Sequence, residues 1–358
     1  MTRISPLARI RVFRCGPVSL RWRPRTLLVA CTAALIFLAL GIISLGVGES
    51  FIPLERVVAT LAGLGDSRET LVIIRLRLSR IVLGALVGAS LAICGAIMQS
   101  TTRNSLASPD ILGVTHGASA GAVAAIVFGA HSRDGSSTIF GTLGISGAAL
   151  GGGLLSAAVL ALILRHIRGS TLLMILLGVG ISATFSGLTS WMLIHADLNE
   201  AEQANAWLTG SLSRGSWPEV YAVASTLAVV GVAVIPFLAR LPALELGNDM
   251  ATALGHRPAR DSAVLLLATV VLTSVAVAAS GPIGFVALAC PHVARMLTRA
   301  PRPPIVASGM LGAVMVVGSD LCARMAFSPL QLPVGAVTAA IGAPVLIRLL
   351  MQGQGGIR

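Results

Sequence analysis

Nine stretches of this chain carry no charged side chain: 26–48, 81–102, 111–132, 135–164, 169–196, 220–239, 262–294, 303–319 and 325–347. A helix needs about 20 apolar residues to cross a bilayer core about 30 Å thick. Inside that core every backbone N–H and C=O must be bonded within the protein, which restricts spanning structures to helices and closed barrels. A barrel strand crosses in about 10 residues of alternating polarity, and these stretches are too long and too uniformly apolar for that. Repeated from end to end, they predict an all-α polytopic membrane protein.

The stretch 262–294 is 33 residues long, more than one ordinary span requires. Gly281-Pro282 divides it, because proline cannot continue a helix ladder and glycine permits a turn. The division gives about ten spans, with a short eighth. Arginine placement tests the count. All 26 basic residues are arginine. With ten spans and the N-terminus inside, 18 arginines fall on the inner side and 8 on the outer; nine spans give 14 and 12. Cytoplasmic loops carry the excess of positive charge, so ten spans with both termini cytoplasmic is the expectation. The acids Glu49, Glu55, Asp66, Glu69, Asp134, Asp197, Glu200, Glu202 and Glu219 then fall outside.

Charge composition excludes other classes. Only 11% of residues are charged, against about 25% in a soluble domain. The net charge of +12 would suggest nucleic acid in a soluble chain. Here the arginines sit in short loops, and aromatic residues, at 4%, are too scarce to form base-stacking platforms. Residues 1–25 hold seven arginines and read as a basic cytoplasmic tail; 26–351 reads as one transmembrane domain. The uncharged run after the tail is longer than a signal-peptide core and is expected to remain as the first span. Cys15, Cys31, Cys94, Cys290 and Cys322 show no paired spacing and read as small buried hydrophobes, with no metal site expected.

No catalytic constellation appears. There is no P-loop and no nucleophile elbow, and no His, Asp or Cys residues converge. Ion-coupled carriers place carboxylates within their spans. Here Asp110 and Asp320 lie near span ends, and His116 and His292 stand singly. That scarcity argues against a stand-alone secondary carrier and for a pathway driven by partner proteins. Two segments suit such partners. Arg77 and Arg80 stand on the outer side, against the usual bias, where an acidic protein would complement them. The inner segment 241–262, LPALELGNDMATALGHRPARDS, reads as a short interfacial helix followed by a turn. Gly147 and Gly151 form a small-xxx-small pair, expected to pack helices closely. The fifth span is rich in small polar residues, including Gly178, Ser182 and Ser186, which are candidates for lining a pathway; close packing is the competing reading.

Four stretches resemble the FecCD-type iron–siderophore and cobalamin ABC importer permeases. They are RLRLSRIVLGALVGASLAICGAIMQSTTRNSLASPDILGVTHGASAGA at 75–122, LELGNDMATALGHRP at 244–258, GPIGFVALACPHVAR at 281–295, and SDLCARMAFSPLQLPVGAVTAAIGAPVLIRLL at 319–350. The resemblance runs over about 50–350. The family usually has proline where this chain has Ser79, in Arg77-Leu78-Ser79-Arg80, and where it has Ser105, in Arg103-Asn104-Ser105-Leu106. Within the family, Cys15-Gly16-Pro17-Val18-Ser19-Leu20 and Ser108-Pro109-Asp110 look most like ferric-enterobactin-type permeases.

The resemblance implies a permease in the cytoplasmic membrane of a bacterium, two permease subunits (the same or a related chain) around one pathway, and two ATPase subunits that use ATP. This chain would bind no cofactor. A periplasmic or lipid-anchored binding protein would deliver a ferric-siderophore, with cobalamin or haem as rival cargoes. Arg77, Arg80 and Arg324 match positions that pair with glutamates of the binding protein. Asn104 and Leu106 match the inner gate. Leu244, Gly247, Ala253, Leu254 and Gly255 lie in the segment that docks into the ATPase.

Overall fold

A computed structural model describes residues 11–15, 18–22, 24–48, 52–130, 139–166, 171–326 and 331–354. Among them are ten long helices: α1 (Pro24–Gly46), α2 (Ser79–Thr102), α3 (Val114–Ala130), α4 (Ile139–His166), α5 (Thr171–Ile194), α6 (Trp217–Leu238), α7 (Pro258–Ser280), α8 (Val286–Thr298), α9 (Ile305–Met325) and α10 (Val334–Gln354). Each falls on one expected span. The long apolar stretch does break: α7 stops at Ser280 and α8 starts at Val286, with Gly281 at φ +70°. Seven helices are long and apolar enough to cross a membrane, and the others include the shorter apolar segments Val114–Gly129, Val286–Thr298 and Val334–Arg348. With 13 residues, α8 measures about 20 Å, short of a full crossing.

The basic N-terminal segment contains an antiparallel hairpin, β1 (Arg11–Cys15) with β2 (Val18–Trp22), in the register Arg11↔Trp22 to Cys15↔Val18. Among the described residues it is the one sheet element that the structure adds to the all-α expectation.

Helix directions alternate. The C-terminus of α1, the N-terminus of α2 and the C-terminus of α9 meet where Arg77 bonds Leu45 and Arg80 bonds Asp320. At that same end Ser79 Oγ donates to the Gly215 carbonyl, the Ser211 N–H donates to Ser280 at the end of α7, and the Gly335 N–H at the start of α10 donates to Gly210. At the opposite end, the first turns of α1 and α9 and the last residue of α6 line one cleft through Thr26, Leu27, Leu238 and Ile305.

Helix α2 is the central post. The span that includes it is 72% buried, against 6% for α1 on the periphery. Its stripe Leu83, Val87 and Leu91 packs with Val286 and Cys290 of α8 and Val316 of α9. Glycine makes the closest approach possible. A Cβ on Gly88 would overlap the Gly312 carbonyl of α9, and one on Gly312 would overlap the Gly88 carbonyl, so the two backbones touch directly. A second core joins Ala118, Ala122 and Val123 of α3 to Ala149 of α4, Met192 of α5 and Val277 of α7.

For the expected glycine pair, the packing corrects the position of Gly151. Gly151 faces open space, and Gly144 sits at a kink in α4 with φ +64°. The residues of α4 pressed against α3 are Ala148 and Gly152, one position further along, meeting Gly121 and Gly117. The sequence stripe has the right spacing, but the helix is rotated by one residue. The cysteine expectation also divides: Cys94 and Cys290 are buried, whereas Cys31 and Cys322 are exposed.

Candidate functional site

The arginine end is built around a carboxylate. Residues Leu71–Leu78 wind as a π-helix that runs directly into α2, bringing Arg77 and Arg80 to the top of the central helix. Arg80 donates from Nε and Nη2 to Asp320 Oδ1 at 2.9 and 2.7 Å, and from Nη1 to Gln331 Oε1 at 3.4 Å. Arg324, one turn after Asp320 on α9, places Nε 3.2 Å from Asp320 Oδ2. It also donates to the Val47 carbonyl at 3.4 Å and to Ser44 Oγ. Arg77 Nη1 donates to the Leu45 and Gly46 carbonyls at 2.6 and 3.2 Å.

These carbonyls end α1, where a helix carries the negative pole of its dipole and lacks internal donors. Three guanidinium groups therefore share one carboxylate and a helix C-terminus. The structure brings the three predicted arginines together, but none projects freely: Arg77 is only 8% exposed, and the Arg80 and Arg324 side chains are 13% and 10% exposed. Asp320, 2% exposed, is the member that sequence reasoning missed. Its i,i+4 spacing from Arg324 was the available signal.

At the other end, the segment between α6 and α7 forms two short helices, Leu241–Glu245 and Asn248–Ala253, hinged at Gly247 with φ +108°. Sequence reasoning gave one helix and a turn. The predicted coupling residues separate into two groups. Leu244 is buried with Leu241 and Ala251 against Ile97 of α2 and Leu265 of α7, so it anchors the element. Ala253, Leu254 and Gly255 are exposed. Leu246, Met250 and Leu254 are 65%, 53% and 57% exposed, apolar side chains that sequence reasoning did not single out. Burial raises the Glu245 carboxyl above its ordinary range, and Arg302 draws it back. At the base of the segment, Arg240 Nη1 donates to Asp261 Oδ1 at 2.7 Å; Asp261 is fully buried, and Arg240 stacks over the Phe237 ring at 5.0 Å.

The loop after α2 lies beside this element. Arg103 caps α2 in the left-handed conformation, φ 53°. Asn104 Oδ1 accepts the Leu106 N–H at 3.0 Å, and the Asn104 carbonyl accepts the Ala107 N–H at 3.1 Å, closing a tight turn. Leu106 stands at the turn, 41% exposed.

On α5, the three pathway candidates have different surroundings. Gly178 is packed against the Ile111 backbone, Ser182 is half-buried and Ser186 is exposed. The uncovered face carries Gly180, Thr184, Gly187 and Trp191. Among the described residues, no group of three His, Cys, Asp or Glu side chains is placed to hold a metal ion.

The profile of the FecCD transport family matches residues 35–352. The chain belongs to this family. FecCD relatives include the ferric enterobactin transport system permease protein FepG of Escherichia coli (strain K12), 34% identical over 92% of this chain and 97% of that protein. The iron(3+)-hydroxamate import system permease protein FhuG of Bacillus subtilis (strain 168) is 34% identical over 92% of this chain and 98% of its own length. Among solved structures, a protein described as a metal-chelate type ABC transporter, in an inward-facing conformation, superposes with a TM-score of 0.79. It is 28% identical and covers 91% of this chain and 99% of its own. The FecCD match includes the arginines with Asp320, the segment between α6 and α7, the loop after α2, and α5, so all of these lie inside the family region.

Proposed function

We propose that this chain is the membrane-embedded subunit of an ATP-driven importer that carries a ferric-siderophore across the cytoplasmic membrane of a bacterium. The observation that supports this most is the FecCD match over 35–352, which embraces nearly the whole membrane domain. In this reading the termini face the cytoplasm. Two ATPase subunits dock on the coupling segment through the exposed Leu246, Met250 and Leu254 and through Ala253 and Gly255. ATP is used there, and this chain needs no cofactor of its own. A periplasmic or lipid-anchored binding protein with an acidic surface docks at the end that carries Arg77, Arg80 and Arg324. A second permease subunit, identical or related, completes the pathway beside α5.

An enterobactin-like catecholate is the finer proposal for the cargo. A hydroxamate is the rival reading, because FhuG is as similar to this chain as FepG is. The test is uptake in proteoliposomes holding the permease, its ATPase and its binding protein, offered ferric catecholate, hydroxamate and citrate complexes, cobalamin and haem. ATP-dependent uptake of a ferric catecholate is expected. Uptake of cobalamin or haem alone would reassign the cargo, and uptake without the ATPase would overturn the importer reading.

A further inference from the structure

The coupling element and the gate loop are far apart in sequence, and among the described residues one side-chain hydrogen bond joins them. Arg103 Nη2 donates to Asn248 Oδ1 at 3.0 Å. Asn248 is the first residue of the second coupling helix, directly after the Gly247 hinge. Arg103 is the C-cap of α2 and the residue before Asn104, whose side chain holds the Leu106 turn. Beneath this pair the contact is apolar and buried: Leu244 and Ala251 rest on Ile97, about a turn and a half before Arg103 on α2. The base of the element is fixed by Arg240 and Asp261. The helix Asn248–Ala253 therefore has a fixed root, a hinge and, among the described residues, one hydrogen bond to the loop.

We infer that Arg103 and Asn248 form the contact through which movement of the coupling element reaches the gate loop at Asn104 and Leu106. The inference rests on the proposed coupling and gate roles of those segments. Coupling between sites needs a physical element with two arrangements that both sites bias. The left-handed Arg103 cap supplies a pivot: tilting the helix at Gly247 pulls the guanidinium, and the backbone at Arg103 redirects Asn104. Both side chains are exposed, and an exposed hydrogen bond adds little to folding. Its loss should therefore disconnect the loop and leave the fold intact.

The test uses the full complex of permease, ATPase and binding protein in nanodiscs. Leu106→Cys is introduced after the native cysteines are replaced, and its reaction with a polar maleimide is timed with and without a non-hydrolysable ATP analogue. In the parent, the labelling rate should change with nucleotide. Arg103→Ala and Asn248→Ala should each abolish that change while the ATPase still co-purifies and hydrolyses ATP. Asn248→Asp, which offers Arg103 a charged acceptor, should keep it. Retention of nucleotide-dependent labelling in both alanine variants overturns the inference while leaving the gate reading in place. Loss of ATPase binding in those variants also overturns it, by making the pair part of the dock. If the parent itself shows no change with nucleotide, the gate assignment falls and takes the link with it.

Discussion

Asp320 accepts two hydrogen bonds from Arg80, from Nε at 2.9 Å and Nη2 at 2.7 Å, and so pins the first turn of α2 to the C-terminal part of α9. With Arg324 on its other oxygen, the carboxylate is the centre of a cluster that also grips the end of α1. Removing one partner of a buried ion pair strands the others and costs about 3–5 kcal/mol. Asp320→Ala should lower stability by about that amount, read as the thermal midpoint of the protein in detergent. A midpoint equal to that of the parent would mean that the cluster does not hold α1, α2 and α9 together.

Those same arginines carry the docking proposal. Three guanidinium charges against one carboxylate leave a positive excess, and attraction to an acidic partner weakens as salt shortens the screening length, which is about 10 Å at 0.1 M. Affinity for the binding protein should therefore fall with ionic strength. Arg77→Glu with Arg80→Glu should abolish uptake while the chain still inserts. Because Arg77 also bonds the Leu45 carbonyl, membrane insertion and melting must be measured beside affinity. Unchanged uptake together with unchanged affinity would end the docking role.

Leu246, Met250 and Leu254 expose apolar surface on the coupling element. Met250→Glu should reduce co-purification of the ATPase by placing a charge in an apolar contact. Gly255 has φ +84° with nothing close to its α-carbon. Leucine there meets no clash but must hold a left-handed backbone, which costs about 1–2 kcal/mol. Gly255→Leu should therefore shift the exposed turn and uncouple hydrolysis from uptake. Normal, substrate-stimulated hydrolysis with normal uptake in both variants would count against the segment as the dock.

Much of this architecture was legible because hydrophobic length is written directly into the residues. The spans and the arginine end follow from where charges are absent or present, and the break at Gly281-Pro282 follows from the length of 262–294 and the proline within it. Rotation about a helix axis is not written there, and so Gly151 looked like a packing residue while Ala148 and Gly152 meet α3. Charge position also does not reveal charge pairing. Arg77 and Arg80 read as cations awaiting an outside partner because Asp320, which binds Arg80, lies 240 residues further on, and the carbonyls that Arg77 grips end a different helix. Leu244 and Leu254 looked equivalent in sequence, yet one anchors the coupling element and the other is presented to solvent, a distinction set by Ile97 on a distant helix.

The pathway prediction turns on the same question of helix rotation, this time in α5. A bulky chelate needs a wide, mostly neutral route, and small polar residues would provide one; they also permit close helix packing. The structure divides the candidates between the two roles. Gly178 meets the Ile111 backbone and packs. Ser186, Gly180, Thr184 and Gly187 are exposed and uncharged, and the Thr184 hydroxyl donates back to the Gly180 carbonyl at 2.9 Å. Single cysteines at 180, 182, 184, 186 and 187 should react with a polar thiol reagent in the assembled transporter, in a pattern that changes when the ATPase binds nucleotide. A cysteine at 178 should stay unreactive, because a side chain there has no room. The native cysteines must be replaced first, Cys31 and Cys322 above all, since both are exposed. If positions on the uncovered face are silent in every nucleotide state, that face is covered by lipid or by the second permease subunit, and α5 does not line the route.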